Sequence, residues 1–232
     1  MTKRTQKAYD RWANAYDTDP NPHIFLEHED VLNLVVPKKN EKILDAACGT
    51  GKYTHEFVEK GASVIGVDFS EEMLNVARQK YPHIEFKKVD LTKPLPFSSL
   101  RFDKINCAQA MKHIRDIKST IKEFFRILKN GGFFVFSVTH PEMNWESYEM
   151  KKGDKIVLSE ESDIFHHKFQ DYFEAFDYAG FKINKIVQVP ISSKIRHLLT
   201  KKSYLKVKGR YEIIIFRLFK DKEFAAKEQN QL

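Results

Sequence analysis

Short apolar runs closed by glycine or aspartate alternate along this chain with helix-length stretches whose apolar positions recur near every 3.6 residues. That alternation is the pattern of strand–helix–strand units around a parallel sheet, so an α/β fold is predicted. Residues 42–46 read as a first strand, 53–60 as the helix that follows, and 63–67 as a second strand. Ser70 offers an N-cap to a helix over 71–80, whose Glu71 and Glu72 sit where the helix dipole favours acids. Residues 84–89 and 104–107 follow as strands. Residues 116–128 read as an amphipathic helix stopped by Asn130, Gly131 and Gly132, and 133–139 as a buried fifth strand.

After Pro141 the regularity lapses. Residues 142–166 carry Trp145, Tyr148, a Lys-Lys-Gly-Asp turn signal and a short apolar run, the composition of an inserted lid. A helix resumes near His167 and ends at Gly180. Strands over 182–189 and 211–219 then bracket a basic segment, 193–210, and residues 225–232 read as a polar tail. No internal repeat interrupts this order, and 232 residues suit one core better than two, so a single domain over 1–232 is expected.

Charge changes the picture only at one end. The net charge is +7, and the stretch from Ile191 to Leu232 holds eleven Lys and Arg against four Asp and Glu, so the excess is entirely C-terminal. The N-terminus has no continuous apolar stretch of signal length, and no run approaches membrane-spanning length, so a cytoplasmic protein without membrane insertion is expected. Cys48 and Cys107 each lie in an apolar strand-like segment, as reduced core thiols do. No metal is expected: His28-Glu29 and His55-Glu56 fail the H-E-x-x-H spacing, and the cysteines form no ligand pair.

The candidate chemistry begins at Asp45-Ala46-Ala47-Cys48-Gly49-Thr50-Gly51-Lys52, a glycine turn between a strand and a helix where backbone can approach a ligand closely. A mononucleotide phosphate loop fails here, because Ala46 and Tyr53 stand at its first glycine and its hydroxyl position. A dinucleotide turn is weakened, because Thr54 replaces its third glycine. A nucleoside carrying an amino acid in place of phosphate is the remaining candidate. Asp68, at the end of the second strand, can accept both hydroxyls of a ribose; Asp90, at the end of the third, can accept from an adenine amine while Leu91 covers the ring. A single strand-end aspartate is commonly only a cap or turn residue. Three at successive strand ends are a different matter.

With these residues in view, the chain resembles the class I S-adenosylmethionine-dependent methyltransferases, particularly their small-molecule branch. Four stretches in order carry the resemblance: DAACGTG, GVDFSEEML, VDLTKPLPF with the following FDKINCAQAMKHI, and RILKNGGFFVFSVTHP. It implies a Rossmann-like, doubly wound seven-stranded sheet of order 3-2-1-4-5-7-6 with an antiparallel last strand. It implies S-adenosyl-L-methionine as cofactor, with Asp45, Ala47, Gly49 and Gly51 around the methionine moiety and Asp68 on the ribose. Phe69 and Met73 of the same stretch, Asp90 and Leu91 at the adenine, and Gln109 past the fourth strand complete the implied pocket. Ala47 departs from the family, which has glycine there. Residues 1–20, with Tyr9, Trp12 and Tyr16, resemble the family's leading helix that folds over the cofactor; the same pattern also suits an ordinary amphipathic helix.

Methyl transfer from a sulfonium is an in-line displacement, so a base is needed only where the acceptor must lose a proton. Position nominates His113 and His140 as catalytic residues, and Trp145, Tyr148 and His167 as substrate contacts. The expected function is methyl transfer to an O, N or C nucleophile of a small-molecule acceptor. Two alternatives stand beside it: an RNA methyltransferase using the basic C-terminal segment, where Tyr204 is the main aromatic, and a non-catalytic S-adenosylmethionine-binding regulator. A nucleic-acid partner is not expected, and these patterns leave the oligomeric state open.

Overall fold

The structure, a computed structural model, describes residues 1–19, 21–142 and 162–221. Seven strands form one sheet: β1 (Lys42–Ala46), β2 (Ser63–Asp68), β3 (Glu85–Lys88), β4 (Phe102–Ala108), β5 (Leu128–Thr139), β6 (Phe181–Pro190) and β7 (Tyr211–Lys220). Their order is β3-β2-β1-β4-β5-β7-β6, as the resemblance implied. The first five are parallel, and β7 inserts antiparallel between β5 and β6. β1 and β4 are neighbours although β2 and β3 lie between them in sequence. Strand order therefore reverses beside the end of β1, where open α/β sheets bind ligands.

The central strands are apolar runs because helices cover both faces. On one face α5 (Ile117–Ile127) and α6 (Phe169–Ala179) bury a phenylalanine array in which Phe136 stacks on Phe134 and Phe216, with ring centroids 5.0 and 5.1 Å apart. On the other face α2 (Pro22–Val35) packs Leu26, Val31 and Leu34 into one cluster with Ile195, Leu198 and Val207. α3 (Lys52–Glu59) and α4 (Glu71–Lys80) follow β1 and β2. α4 starts as predicted, with the Ser70 hydroxyl accepting from the Met73 N–H.

Three features depart from the sequence reading. The Asn130-Gly131-Gly132 triplet does not separate helix from strand: β5 already begins at Leu128, directly after α5. The pairing with β4 slips between Phe102 and Lys104, and a Cβ on Gly132 would stand 2.7 Å from the Asp103 carbonyl oxygen. The glycine is there so that two strands can meet across an irregular ladder. The basic segment is a folded connection, a 3-10 turn (Ser193–Leu198) and α7 (Lys201–Val207), that buries Ile195, Leu198, Tyr204 and Val207. α2 has no counterpart in the predicted elements, although Asn21, whose side chain accepts from the His23 N–H, and Pro22 in the first turn are ordinary helix-start residues.

The N-terminal region contains α1 (Lys3–Trp12) followed by turns through residue 19. Trp145 and Tyr148, assigned to the lid, lie outside the described residues. Among the described residues no helix is long and apolar enough to cross a membrane, and no cluster of three His, Cys, Asp or Glu side chains is disposed to hold a metal.

Candidate functional site

The carboxyl ends of β1, β2 and β4 open into one cleft with two arms, roofed by α1 and the turns after it. Tyr9, Tyr16, Ala47, Ala108, Gln109 and His113 line both arms and mark the junction. One arm continues past Gly49, Asp68, Phe69, Ser70 and Leu91. The other runs between the aromatic rings of Trp12 and Tyr53 toward Glu27 and Lys112.

The floor of the cleft is the glycine turn. Gly49 adopts φ +54° and Gly51 +83°, and a Cβ on Gly51 would press to 2.9 Å of the Phe86 ring. Ala47 also adopts a left-handed backbone, φ +58°, where the family has glycine. Left-handed alanine costs about 1–2 kcal/mol relative to glycine, partly offset by the greater unfolded-state freedom of glycine. Ala47→Gly is therefore expected to stabilise the fold by roughly 0.5–1 kcal/mol, raising Tm by about 1–4 °C in differential scanning calorimetry. A lower Tm would mean that the Ala47 methyl contributes more by packing than its backbone loses. Gln109, at the end of β4, shares this strained conformation at φ +56°, so both strand ends that meet at the junction are held in backbone shapes L-residues seldom take.

Asp68 braces the arm that runs past Gly49. Its carboxylate accepts from the Gly49 N–H at 2.9 Å and the Ser70 N–H at 2.8 Å, tying the glycine turn to the start of α4. The Phe69 N–H favours the carboxylate too, and of about four acceptor sites this leaves capacity for a ligand hydroxyl. Burial raises its pKa despite these bonds. Asp45 sits beneath the turn rather than on the cleft wall: it accepts from Thr54 at 2.6 Å and from Asn106 at 2.8 Å, and burial lifts its carboxyl to about 6. Leu91 lines the same arm, and Met73 of α4 is fully buried. Asp90 is engaged by the chain itself, accepting from the Met1 amino group at 2.7 Å and the Thr92 hydroxyl at 2.7 Å.

The roof is latched to the floor. The Thr50 hydroxyl donates to Asp17 at 2.7 Å, and Lys80 donates to the same carboxylate at 2.7 Å and to the Thr50 carbonyl at 3.2 Å. Trp12 and Tyr16 meet edge to face at 4.5 Å, making a continuous aromatic wall.

The predicted histidines occupy three different settings. His113, 2% exposed, stands at the junction with both ring nitrogens engaged: Nδ1–H donates to the Asp163 carbonyl at 2.8 Å, which leaves Nε2 to accept from the Tyr9 hydroxyl at 3.0 Å. Burial and the neighbouring Lys112 charge push it down to about 4, so it is neutral at pH 7. His140 lines an adjoining recess that shares Lys112 and Ile164 with the cleft, its ring stacked on Tyr211 and edge-on to Phe169. Its Nδ1 accepts from the Glu142 N–H at 3.3 Å, and burial lowers its pKa. His167, in the same recess, donates from Nε2 to the Ile114 carbonyl at 2.8 Å.

The sequence reading did not anticipate Glu27 and His23, both on α2. Glu27 is 1% exposed and accepts from Gln109 Nε2 at 2.7 Å. Burial lifts its carboxyl to about 7 against the hydrogen bonds that oppose the shift. His23 pairs with Glu212 of β7 at 2.8 Å in a buried setting. An acid and a histidine on the core face of an apolar helix were the available signal.

Residues 37–180 match the family model described as a methyltransferase domain. Over 160 residues the chain is 38% identical to a demethylmenaquinone methyltransferase of Chlorobaculum tepidum, covering 68% of this chain and 64% of that one. It is 29% identical over 141 residues to a protein of the same name from Bacillus cereus, covering 56% and 60%. The chain thus spans less than two thirds of the length of these curated relatives. An S-adenosylmethionine-dependent methyltransferase from Mesorhizobium loti, 22% identical, has the same fold, with a TM-score of 0.68 over 83% of this chain and 97% of that one. With its strand order, glycine turn and bracing aspartate, this chain belongs to the class I S-adenosylmethionine-dependent methyltransferases.

Proposed function

We propose that the protein transfers a methyl group from S-adenosylmethionine to a small, planar aromatic acceptor bound in the Glu27 arm of the cleft. One observation carries this reading: two arms of different chemistry, one suited to a nucleoside and one walled by Trp12, Tyr16 and Tyr53, meet at a junction enclosed by Tyr9, Gln109 and His113. The cofactor supplies an electrophilic methyl on a sulfonium. The residues fit it, since Gly49 lines its arm without a side chain and the Asp68 carboxylate beside it faces the same arm, where ribose hydroxyls can donate to it. The chain's own work is to orient the acceptor and exclude water, which the aromatic roof and its latch through Asp17 are placed to do.

The relatives' name, demethylmenaquinone methyltransferase, supports an aromatic acceptor. Burial of Tyr204 against the C-terminal core cluster removes the base-stacking ring that the RNA alternative needs, and this too supports a small molecule. Within the site, His113 is proposed to hold Tyr9 at the junction, and His140 and His167 to shape the recess beside the acceptor arm. Calorimetric titration should show S-adenosylmethionine and S-adenosylhomocysteine competing for one site. Labelled methyl should pass from the cofactor into the small-molecule fraction of a cell extract and not into its RNA. Label in RNA alone, or cofactor binding without transfer to either fraction, would overturn the reading.

A further inference from the structure

Among the described residues, Glu27 is the one acidic side chain lining the acceptor arm. It reaches the arm from α2, and its carboxylate is held there by Gln109 Nε2, which donates to Oε2 at 2.7 Å, and by a side-chain hydrogen bond from Ser137. Oε1 is buried, with no hydrogen-bond partner among the described residues. A buried carboxylate oxygen without a donor is costly, and proteins retain one where a ligand or a reaction uses it. Gln109 fixes where this oxygen stands: its backbone is held at φ +56° at the end of β4, and its N–H donates to the Ser137 hydroxyl at 3.1 Å. The same Gln109 lines the nucleoside arm, so the carboxylate is tied through one residue to the place where the two arms meet. Both histidines nominated from sequence are worse placed, since His113 has both nitrogens engaged and His140 lies in the adjoining recess.

Resting on the proposed methyl transfer, we infer that Glu27 is the proton acceptor of the reaction, and that the acceptor class is an aromatic bearing an ionisable hydroxyl, a phenol or hydroquinone. The hydroxyl donates to Glu27 Oε1. As the nucleophile's electron pair forms its bond to the methyl carbon, the sulfur–carbon pair returns to sulfur and the hydroxyl proton passes to Oε1. The products are a neutral thioether, a methylated acceptor and a protonated Glu27, so atoms and charge balance. The Glu27 carboxyl, lifted to about 7 by burial, is matched to receiving a proton near neutral pH. Lys112, on the same wall and pushed down to about 8 by its own burial, is placed to meet a carbonyl or second oxygen of the acceptor.

The test uses the full chain with 2-naphthol, which must lose its proton, and 4-nitro-1-naphthol, which is already ionised at the assay pH. Glu27→Gln should bind S-adenosylhomocysteine within about twofold of wild type, lose at least about 100-fold in transfer to 2-naphthol and lose less than about tenfold with the nitro compound. Glu27→Asp should recover part of the loss. Equal losses with both acceptors, or none, would overturn the assignment. A second measurement needs no turnover. The S-adenosylhomocysteine complex should bind 2-naphthol about tenfold tighter than naphthalene by fluorescence titration, and Glu27→Gln should erase that margin. A complex that does not favour 2-naphthol overturns the role of Glu27 alone. Failure to bind S-adenosylhomocysteine at all would instead remove the proposed function on which it rests.

Discussion

Asp68→Ala is expected to weaken S-adenosylmethionine and S-adenosylhomocysteine alike, by about 1.5–3 kcal/mol, or roughly 10–150-fold in Kd. The argument is one of acceptor sites. The carboxylate holds the Gly49 and Ser70 N–H groups, with the Phe69 N–H also favouring it, and its remaining acceptor capacity is open to ribose hydroxyls. Alanine removes both sets together, so the glycine turn loses its brace as the ligand loses its partner. Asp68→Asn should fall between wild type and alanine, because its amide oxygen still accepts while its NH2 turns the other position from acceptor to donor, costing either a brace bond or a ribose contact. Isothermal titration calorimetry gives the affinities directly. An unchanged Kd for Asp68→Ala would take this residue out of the nucleoside arm.

The second large effect is a gain. Replacing Glu27 by glutamine should stabilise the ligand-free protein at pH 8 by on the order of 3 kcal/mol, a rise of roughly 6–12 °C in Tm. The Glu27 carboxyl stands at about 7 when folded, against an ordinary value of 4.5, because burial penalises its charged form more than its hydrogen bonds relieve it. The folded state therefore holds this proton more tightly than the unfolded chain. Its contribution is fully present below about pH 4.5 and is lost as the pH rises toward 7. A neutral amide at this position mimics the protonated acid at every pH, so the advantage of the variant should be large at pH 8 and close to nothing at pH 4.5. The groups around Glu27 are Gln109 and Lys112 beyond β4, Ser137 on β5, Tyr16 in the roof, Tyr53 on α3 and His23 on α2. Gln109 and Ser137 by their hydrogen bonds and Lys112 by its charge favour the carboxylate, and burial outweighs all three. Calorimetric scans of both proteins at the two pH values decide it; a lower Tm for the variant at pH 8 would show that the ionised carboxylate holds the fold together.

Much of the sheet was legible because its signals are local. The runs that became β1 and β2, and the Ser70 cap with its two glutamates, need only a few neighbouring residues to declare themselves, and their boundaries fall within a residue of the reading. Asn130-Gly131-Gly132 misled because glycine serves two purposes, stopping a helix and admitting a neighbouring strand. Only the 2.7 Å approach of the Asp103 carbonyl tells them apart. The site divided along the same line. Asp68 could be named from its place at a strand end, since its work is done within a few residues of itself and at the adjacent turn. Glu27 could not, because its meaning lies in Gln109, 82 positions away, and in a roof contributed by a third part of the chain. α2 went unread for a related reason: its inward face carries His23 and Glu27 among its leucines, and polar residues on a buried face blur the very periodicity that marks a helix.

The fastening of the roof has a consequence for movement. Tyr9 and Tyr16 wall both arms, and the segment that bears them is held at several points: Asp17 by Thr50 and Lys80, Asp10 by the Ser70 hydroxyl, Tyr9 by His113, and Thr5 by the Asp163 N–H. A movement that uncovers the nucleoside arm must uncover the acceptor arm too. Whatever fills the two arms then leaves through a common exit, and the Asp17 contacts, a partly exposed ion pair and one hydroxyl, are only a part of what must open. A lifting of this N-terminal segment breaks these contacts together, and it opens both arms at once.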